Sequence, residues 1–331
     1  MTSTLAARGS SRIHARSGDV LGRVDVPTEG DQPAFYYAAA PIITESSVIA
    51  RRGSGIEARS RDLAQVLWER EVPGAAKGAF NFPATLCDGT VFFACGSDHW
   101  AVDAQSGAVD WQISLGAEVN MVPVAADGRV FVGASNGRFV AIDVESGAEA
   151  WAFEGEGSFG HTSPVLAAGK IVVGDRGVRG GRRGALLALD AKTGAKVWES
   201  EFGATGLSTP GVDGDVVLAG FGKTVGFFDL DDGKLRSNPS IRCGANAFGS
   251  AMILGEHLVY GHLNGNLYVH KANSGKLEWQ FRVPVAQVGD FVYKDNRLLV
   301  STTKGLFGLV NGKGKLKGNV KTWTPVPADK K

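Results

Sequence analysis

Apolar and polar positions along this chain fall into short runs, and the runs come in sets. In residues 161–202, HTSPVLAAG is a stretch of small residues, KIVVGD is apolar almost throughout, GALLALDAKTG closes an apolar run on a turn, and AKVWESEF alternates. Runs of this length bounded by Gly, Asp and Asn read as strands, and the alternation marks a strand with one covered face. One set therefore predicts four short antiparallel strands. The same order recurs in residues 120–155, NMVPVAADGRVFVGASNGRFVAIDVESGAEAWAFEG, where ADG and SNG mark the two inner hairpin turns.

The sets repeat at a fixed spacing. Aligned on the Gly of an Asp-x-x-Ser/Thr-Gly turn, clear copies fall at Gly107, Gly147, Gly194, Gly233 and Gly275, at intervals of 40, 47, 39 and 42 residues. That period belongs to a propeller blade. A degenerate copy, SRDLAQVLW, keeps Trp68 without the turn Gly, and GLVNGKGKLKG follows the last clear one. At the start of the chain, RIHARSGDVLGRVDVP matches the second half of a unit, with Gly22 where Trp would stand.

The repeated residues have mechanical roles. Asp103, Asp143, Asp190 and Asp229 are placed to accept hydrogen bonds from turn amides, and the Gly supplies a positive φ that residues with a β-carbon resist. Each Trp is expected to pack over the neighbouring blade. Complete sets begin near Tyr37, Asn81, Asn120, His161, Leu207, Ala247 and Gln287. The expected fold is all-β, a seven-bladed propeller of four-stranded antiparallel blades. Residues 12–26 are expected to add strand to the last blade, so that both chain ends close the ring. Eight blades is the alternative, if NGKGKLKGNVKTW and the N-terminal segment build a reduced further blade. The corresponding boundaries are a flexible N-terminus over 1–11, one propeller domain over 12–320 and a tail over 321–331.

Composition changes this picture little. Lys plus Arg (35) balances Asp plus Glu (34), so no net field favours nucleic acid or an anionic membrane. No apolar run approaches the roughly 18 residues that span a bilayer, and MTSTLAARGSSRIHARSGDV holds no signal-type apolar core. Cys87 and Cys95 flank a hairpin in a register that keeps them apart, so free thiols are expected. These features predict a cytoplasmic protein; a periplasmic or extracellular one is the alternative, should an export signal have been removed.

The segment VFVGASNGRFVAIDVESGAEAWAFE, with its hairpin, its Ala-Ile-Asp strand and its Ser-Gly-x-x-x-Trp turn, resembles the pyrroloquinoline-quinone-like propeller repeat. The resemblance covers residues 38 to 310. That family holds quinoprotein dehydrogenases, a propeller lipoprotein of outer-membrane assembly, and non-enzymatic scaffolds, so it implies shape more than activity. Its dehydrogenases carry a vicinal Cys-Cys pair and calcium ligands that this sequence lacks, which implies neither a catalytic residue nor a cofactor here. The non-enzymatic branch is the one implied.

Function is then expected in irregular loops on one face of the ring. The loops entering each innermost strand bring Tyr36, Tyr37, Phe80, Asn81, Phe82, Asn120, Phe159, His161, Asn246, Phe248 and Asp290 toward one mouth of the channel. An aromatic, amide-rich mouth suits a peptide or a small polar ligand, and the alternative is that the rings plug the channel. The insert GDRGVRGGRRG adds Arg176, Arg179, Arg182 and Arg183 to that face, a set able to clamp a carboxylate or an acidic surface. His99 and Trp100 are expected at a hairpin tip, and six scattered histidines lack zinc-ligand spacing. The sequence thus predicts a monomeric, non-enzymatic scaffold that docks a protein or peptide, with no cofactor, no metal and no nucleic acid. The alternative is an enzyme or small-molecule binder at the channel mouth.

Overall fold

A computed structural model describes residues 9–13, 20–25, 41–52, 55–72, 84–160, 162–177, 184–201, 209–236, 241–242, 247–262, 266–271, 275–282, 288–294, 297–302, 305–311 and 323–326. Every regular element among them is a β-strand. Sheet 1 takes Ile42–Ile43, Ser47–Arg52, Gly55–Ser60 and Val66–Arg70; sheet 2 takes Thr85–Cys87, Thr90–Cys95, Asp98–Asp103 and Val109–Ser114. Sheet 3 is built from Val124–Ala126, Arg129–Gly133, Arg138–Asp143 and Glu149–Glu154, and sheet 4 from Val165–Ala167, Lys170–Asp175, Ala185–Asp190 and Lys196–Glu201. Sheet 5 holds Gly211–Asp213, Val216–Phe221, Thr224–Asp229 and Ile241–Arg242. Sheet 6 holds Ala247–Leu254, His257–His262, Asn266–Lys271 and Leu277–Arg282, and sheet 7 holds Val288–Lys294, Arg297–Thr302, Gly305–Asn311 and Trp323–Val326. All are antiparallel meanders in chain order, and from sheet 2 to sheet 7 the first strand of each lies beside the first strand of the next.

Burial explains the run lengths. The second and third strands of sheets 2 to 5 are covered on both faces, so TVFFAC and RFVAID are apolar through nearly their whole length. The fourth strand is outermost and buries little besides its Trp. Hairpin turns are equally local in origin: Asp88-Gly89, Asp127-Gly128 and Ala168-Gly169 all place both residues at positive φ, the tight geometry that joins twisted strands.

The echoed Trp and Gly belong to one joint between consecutive sheets. Trp68 Nε1 donates to the Ala104 carbonyl at 3.1 Å, Trp111 to Val144 at 2.8 Å, Trp151 to Ala191 at 3.2 Å and Trp198 to Leu230 at 2.9 Å. Each ring also lies flat against the turn glycine of the next sheet. A β-carbon on Gly147 would stand 2.6 Å from Trp111 Cγ, and one on Gly194 would stand 2.6 Å from the Trp151 ring. A one-residue bulge precedes the Trp in the fourth strand and aims it at its neighbour; Ala141 pairs with Trp151 while Ile142 already pairs with Glu149. The same shift occurs in sheets 1, 2, 4 and 6.

Two expectations change here. Residues 12–26 do not extend the last sheet: Gly9–Ile13 pairs with Val20–Asp25 as a separate hairpin, and Trp323–Val326, beyond the expected boundary at 320, supplies the fourth strand of sheet 7. The two strands are separated by only residues 14–19 in the chain, so pairing them costs far less chain entropy than joining the two ends. It also carries the repeat's own bulge, with Arg12 opposite Gly22 and Ile13 opposite Val20. Second, His99 and Trp100 are not at a hairpin tip. They lie inside the third strand of sheet 2, 0% and 5% exposed, because the turn is made by Gly96 and Ser97.

Candidate interaction face

The loops that enter successive sheets are tied to one another by backbone hydrogen bonds. Between sheets 2 and 3, the loop from Leu115 to Pro123 hangs from the preceding hairpin: Leu115 N donates to Ser97 O at 2.8 Å and Val119 N to Gly96 O at 2.9 Å. It then receives Ser135 N of sheet 3 on Glu118 O at 2.9 Å. The next loop repeats this arrangement, with Gly155 N on Gly137 O, Phe159 N on Ala134 O and Arg176 N on Ser158 O at 2.9 Å. Asn120 N closes the lattice by donating to Gly160 O at 3.1 Å. The loop face of sheets 2 to 4 is therefore a continuous fabric of main chain, with side chains standing on a fixed support.

Sequence-predicted residues divide across this fabric. Asn120 lies in it but is 6% exposed, its Nδ2 donating to Glu118 Oε2 at 3.2 Å. Phe159 is fully buried, edge-on to Phe139 with ring centroids 5.5 Å apart, so it packs between sheets and offers no surface to a partner. Its backbone amide is needed by the preceding hairpin, and that pulls the ring inward. Arg176 is exposed, and its amide donates to Ser158 O of the entry loop. Phe248 lies in the first strand of sheet 6 and Asp290 in the first strand of sheet 7. Tyr36, Tyr37, Phe80, Asn81, Phe82, His161, Arg179, Arg182, Arg183 and Asn246 lie outside the described residues.

One residue of the face escaped the sequence reading. Asp175 ends the second strand of sheet 4, wholly buried, and its Oδ1 accepts from Ser158 N at 3.0 Å and Gly177 N at 2.8 Å. The carboxylate thus stitches the entry loop to the root of the arginine insert. Gly157 leaves it room, since a β-carbon there would overlap Asp175 Oδ1. Acidic Asp175 closing the apolar run KIVVGD was the available signal.

The opposite face carries the Asp-x-x-Ser/Thr-Gly turns, and their chemistry is structural. Asp103 Oδ1 accepts from Ser106 Oγ at 2.6 Å and Ser106 N at 2.7 Å, and Asp143 and Asp190 repeat the pattern with Ser146 and Thr193. The side-chain hydroxyl first, then the backbone amide, hold all three carboxyls below their ordinary range. Asp229 is lowered by the Asp231 amide and by Arg236. Among the described residues no three His, Cys, Asp or Glu gather as a metal site requires, and Cys87 and Cys95 are free thiols.

Sheets of this repeat, joined in this way, define a β-propeller of pyrroloquinoline-quinone-like repeats. The family model described as outer membrane protein assembly factor BamB matches residues 52–204 and 156–236, together more than half of the chain. The chain belongs to that family. The BamB of Moranella endobia is 25% identical over 227 residues, 61% of this chain and 57% of its own length. That of Yersinia pestis is 24% identical over 226 residues and 56% of its length, so the matched part spans little more than half of these relatives. A quinohemoprotein alcohol dehydrogenase of Comamonas testosteroni is 43% identical, but over 76 residues, 22% of this chain and 11% of its own length. In three dimensions the crystal structure of BamB from Moraxella catarrhalis superposes with a TM-score of 0.69 over 88% of this chain and 87% of its own, at 17% identity.

These relatives correct the cytoplasmic expectation. Factors named for outer-membrane assembly work beyond the inner membrane, and the comparison points to the periplasm. Balanced charge and free thiols held apart in separate strands are compatible with an oxidising compartment, so neither feature had marked the cytoplasm. Among the described residues no helix is long and apolar enough to cross a membrane.

Proposed function

We propose that this chain is a non-enzymatic scaffold of outer-membrane protein assembly, a single ring of seven blades that docks a partner protein or peptide on its loop face. The observation carrying this reading is the backbone lattice of that face. Loops that would otherwise pay ordering entropy on binding are already fixed, so a partner meets a preformed surface. Glu118, Asn136 and Arg176 stand exposed on it, and Arg179, Arg182 and Arg183 follow a few residues after the Asp175 stitch in the chain. Four arginines on one insert suit an acidic partner segment. By itself the chain is then a monomer.

The enzymatic reading rests on matches to quinohemoprotein alcohol dehydrogenases that take in only 11% and 16% of those proteins, and so speak for the repeat. The test is site-directed photo-crosslinking in cells. A crosslinking residue at Glu118, Asn136 or Arg176 is expected to trap an outer-membrane assembly component, while one at Gln105, Glu145 or Lys192 on the turn face traps none. Equal trapping from both faces, or trapping from the turn face alone, would refute the proposal.

A further inference from the structure

The third strand of each sheet carries one position, four residues before the turn Asp or its equivalent, that faces the next sheet in the series. It is Phe139 in sheet 3, Leu186 in sheet 4, Val225 in sheet 5 and Leu267 in sheet 6, all buried and apolar. In sheet 2 it is His99. The substitution is close to isosteric with Phe139: His99 stacks on Trp111 with centroids 5.9 Å apart and planes at 28°, and Phe139 stacks on Trp151 at 6.2 Å and 28°. On its other side the imidazole lies over Phe92, at 6.4 Å and 11°. It is 0% exposed, and neither ring nitrogen has a hydrogen-bond partner.

A buried imidazole with no partner is tolerable only while neutral, because a charge in an apolar pocket forfeits its hydration with nothing in return. The ionisable neighbours offer no relief. On its own strand Asp98 accepts from Gln112 and Asp103 is engaged by Ser106; on the flanking strands Asp110 is an outward bulge residue and Cys95 faces sheet 1. From the sheet 3 side, Glu118 holds Asn120, Arg129 holds the Ala191 and Lys192 carbonyls, and Asp127 lies toward the turn end, as does the partly buried Cys87 of sheet 2. None hydrogen-bonds to His99. Burial alone lowers its pKa, to about 3.

We propose that His99 makes the seam between sheets 2 and 3 acid-labile, so that mild acidity loosens the loop face these sheets support. Protonation must open the pocket around Trp111, the ring that latches sheet 2 onto Val144 and Gly147 of sheet 3. The lability stands whether or not the loop face docks a partner. It suits a chain outside the inner membrane, where pH follows the surroundings.

The sign follows from proton linkage. The native state stays unprotonated while the unfolded histidine takes a proton below an ordinary pKa of about 6.5, so stability is complete above that value and falls as pH drops. Between pH 7 and pH 5 the unfolding constant should rise about 25-fold from this one group. Urea titrations at pH 7, 6 and 5 of the full chain and of His99→Phe measure it. The variant, patterned on Phe139, should lose that 25-fold dependence; His99→Leu, patterned on Leu186, serves if the Phe variant does not fold. Parallel pH dependences in wild type and variant would overturn the proposal. In the wild-type protein, NMR of the ring should find His99 neutral down to the onset of unfolding. A ring that titrates near its ordinary value in the folded state also overturns it.

Discussion

Gly147→Ala tests the joint on which the fold depends, because two separable penalties meet at that residue. Its φ is +68°, a left-handed backbone that costs a residue with a β-carbon about 1 to 2 kcal/mol. The new methyl would also stand 2.6 Å from Trp111 Cγ and 2.9 Å from its Cβ and Cδ2, inside contact distance of a ring held on both sides. Overpacking of this kind costs about 1 to 3 kcal/mol. The expected loss is therefore about 2 to 5 kcal/mol, part of it through the Trp111 bond to Val144, which weakens when the ring is displaced.

Gly128→Ala provides the control. Its φ is +71°, nearly the same, but a β-carbon there meets nothing within 4 Å. It should cost the backbone penalty alone, about 1 to 2 kcal/mol. Urea denaturation of both variants gives the difference. Gly147→Ala placed in a Trp111→Leu background should then cost no more than Gly128→Ala, because the ring that resists the methyl is gone. If Gly147→Ala costs the same as Gly128→Ala in the native background, the Trp rings do not clamp the turn glycines and the account of the joint fails.

Two further changes follow from the turns. Ala168 sits at φ +46° where the corresponding turns of sheets 2 and 3 use Asp88 and Asp127, so Ala168→Asp should stabilise the chain by about 0.5 to 1 kcal/mol, read as a shift in the denaturation midpoint. Asp143, held below the ordinary carboxylate range by Ser146, gives stability that is present above the unfolded pKa and lost as pH falls through the native one. In a carboxyl NMR titration Ser146→Ala should bring Asp143 back toward its usual value, and no movement would remove the hydroxyl as the cause.

Much of this architecture could be read from the sequence because its causes are local. A turn glycine and a Trp four residues later are fixed by one bulged hairpin, and the copies at Gly107, Gly147, Gly194 and Gly275 state the rule again. The strand boundaries followed from turn dipeptides such as Asp127-Gly128, whose φ values leave little choice. What failed was long-range or side-chain specific. Trp323–Val326 pairs across residues 312–322, a gap far longer than the two-residue turns elsewhere, so the Asn311-Gly312 dipeptide did not announce where the partner strand begins. His99 was misplaced because GSDHW contains polar residues that resemble a turn, although the repeat register puts the imidazole in the slot of Phe139. Phe159 resembled a surface aromatic because a loop sequence does not record which of its amides are engaged.

The candidate face was the least legible part, and the reason bears on how such a scaffold works. The bonds that lace its loops run from Ser135 N to Glu118 O, from Arg176 N to Ser158 O and from Asn120 N to Gly160 O, all main chain to main chain. They ask little of the side chains at those positions beyond tolerance of the backbone path. Shape is thus conferred by the repeat, while the residues that a partner touches remain free to differ from one propeller to the next. Gly157 and Asp175 are the exception. There a side chain does enter the lattice, and it does so at the root of the arginine insert, where the face departs most from the repeat. A fold that fixes its loops through the backbone leaves recognition chemistry unconstrained everywhere else, so sequence periodicity can identify the scaffold without identifying what it holds.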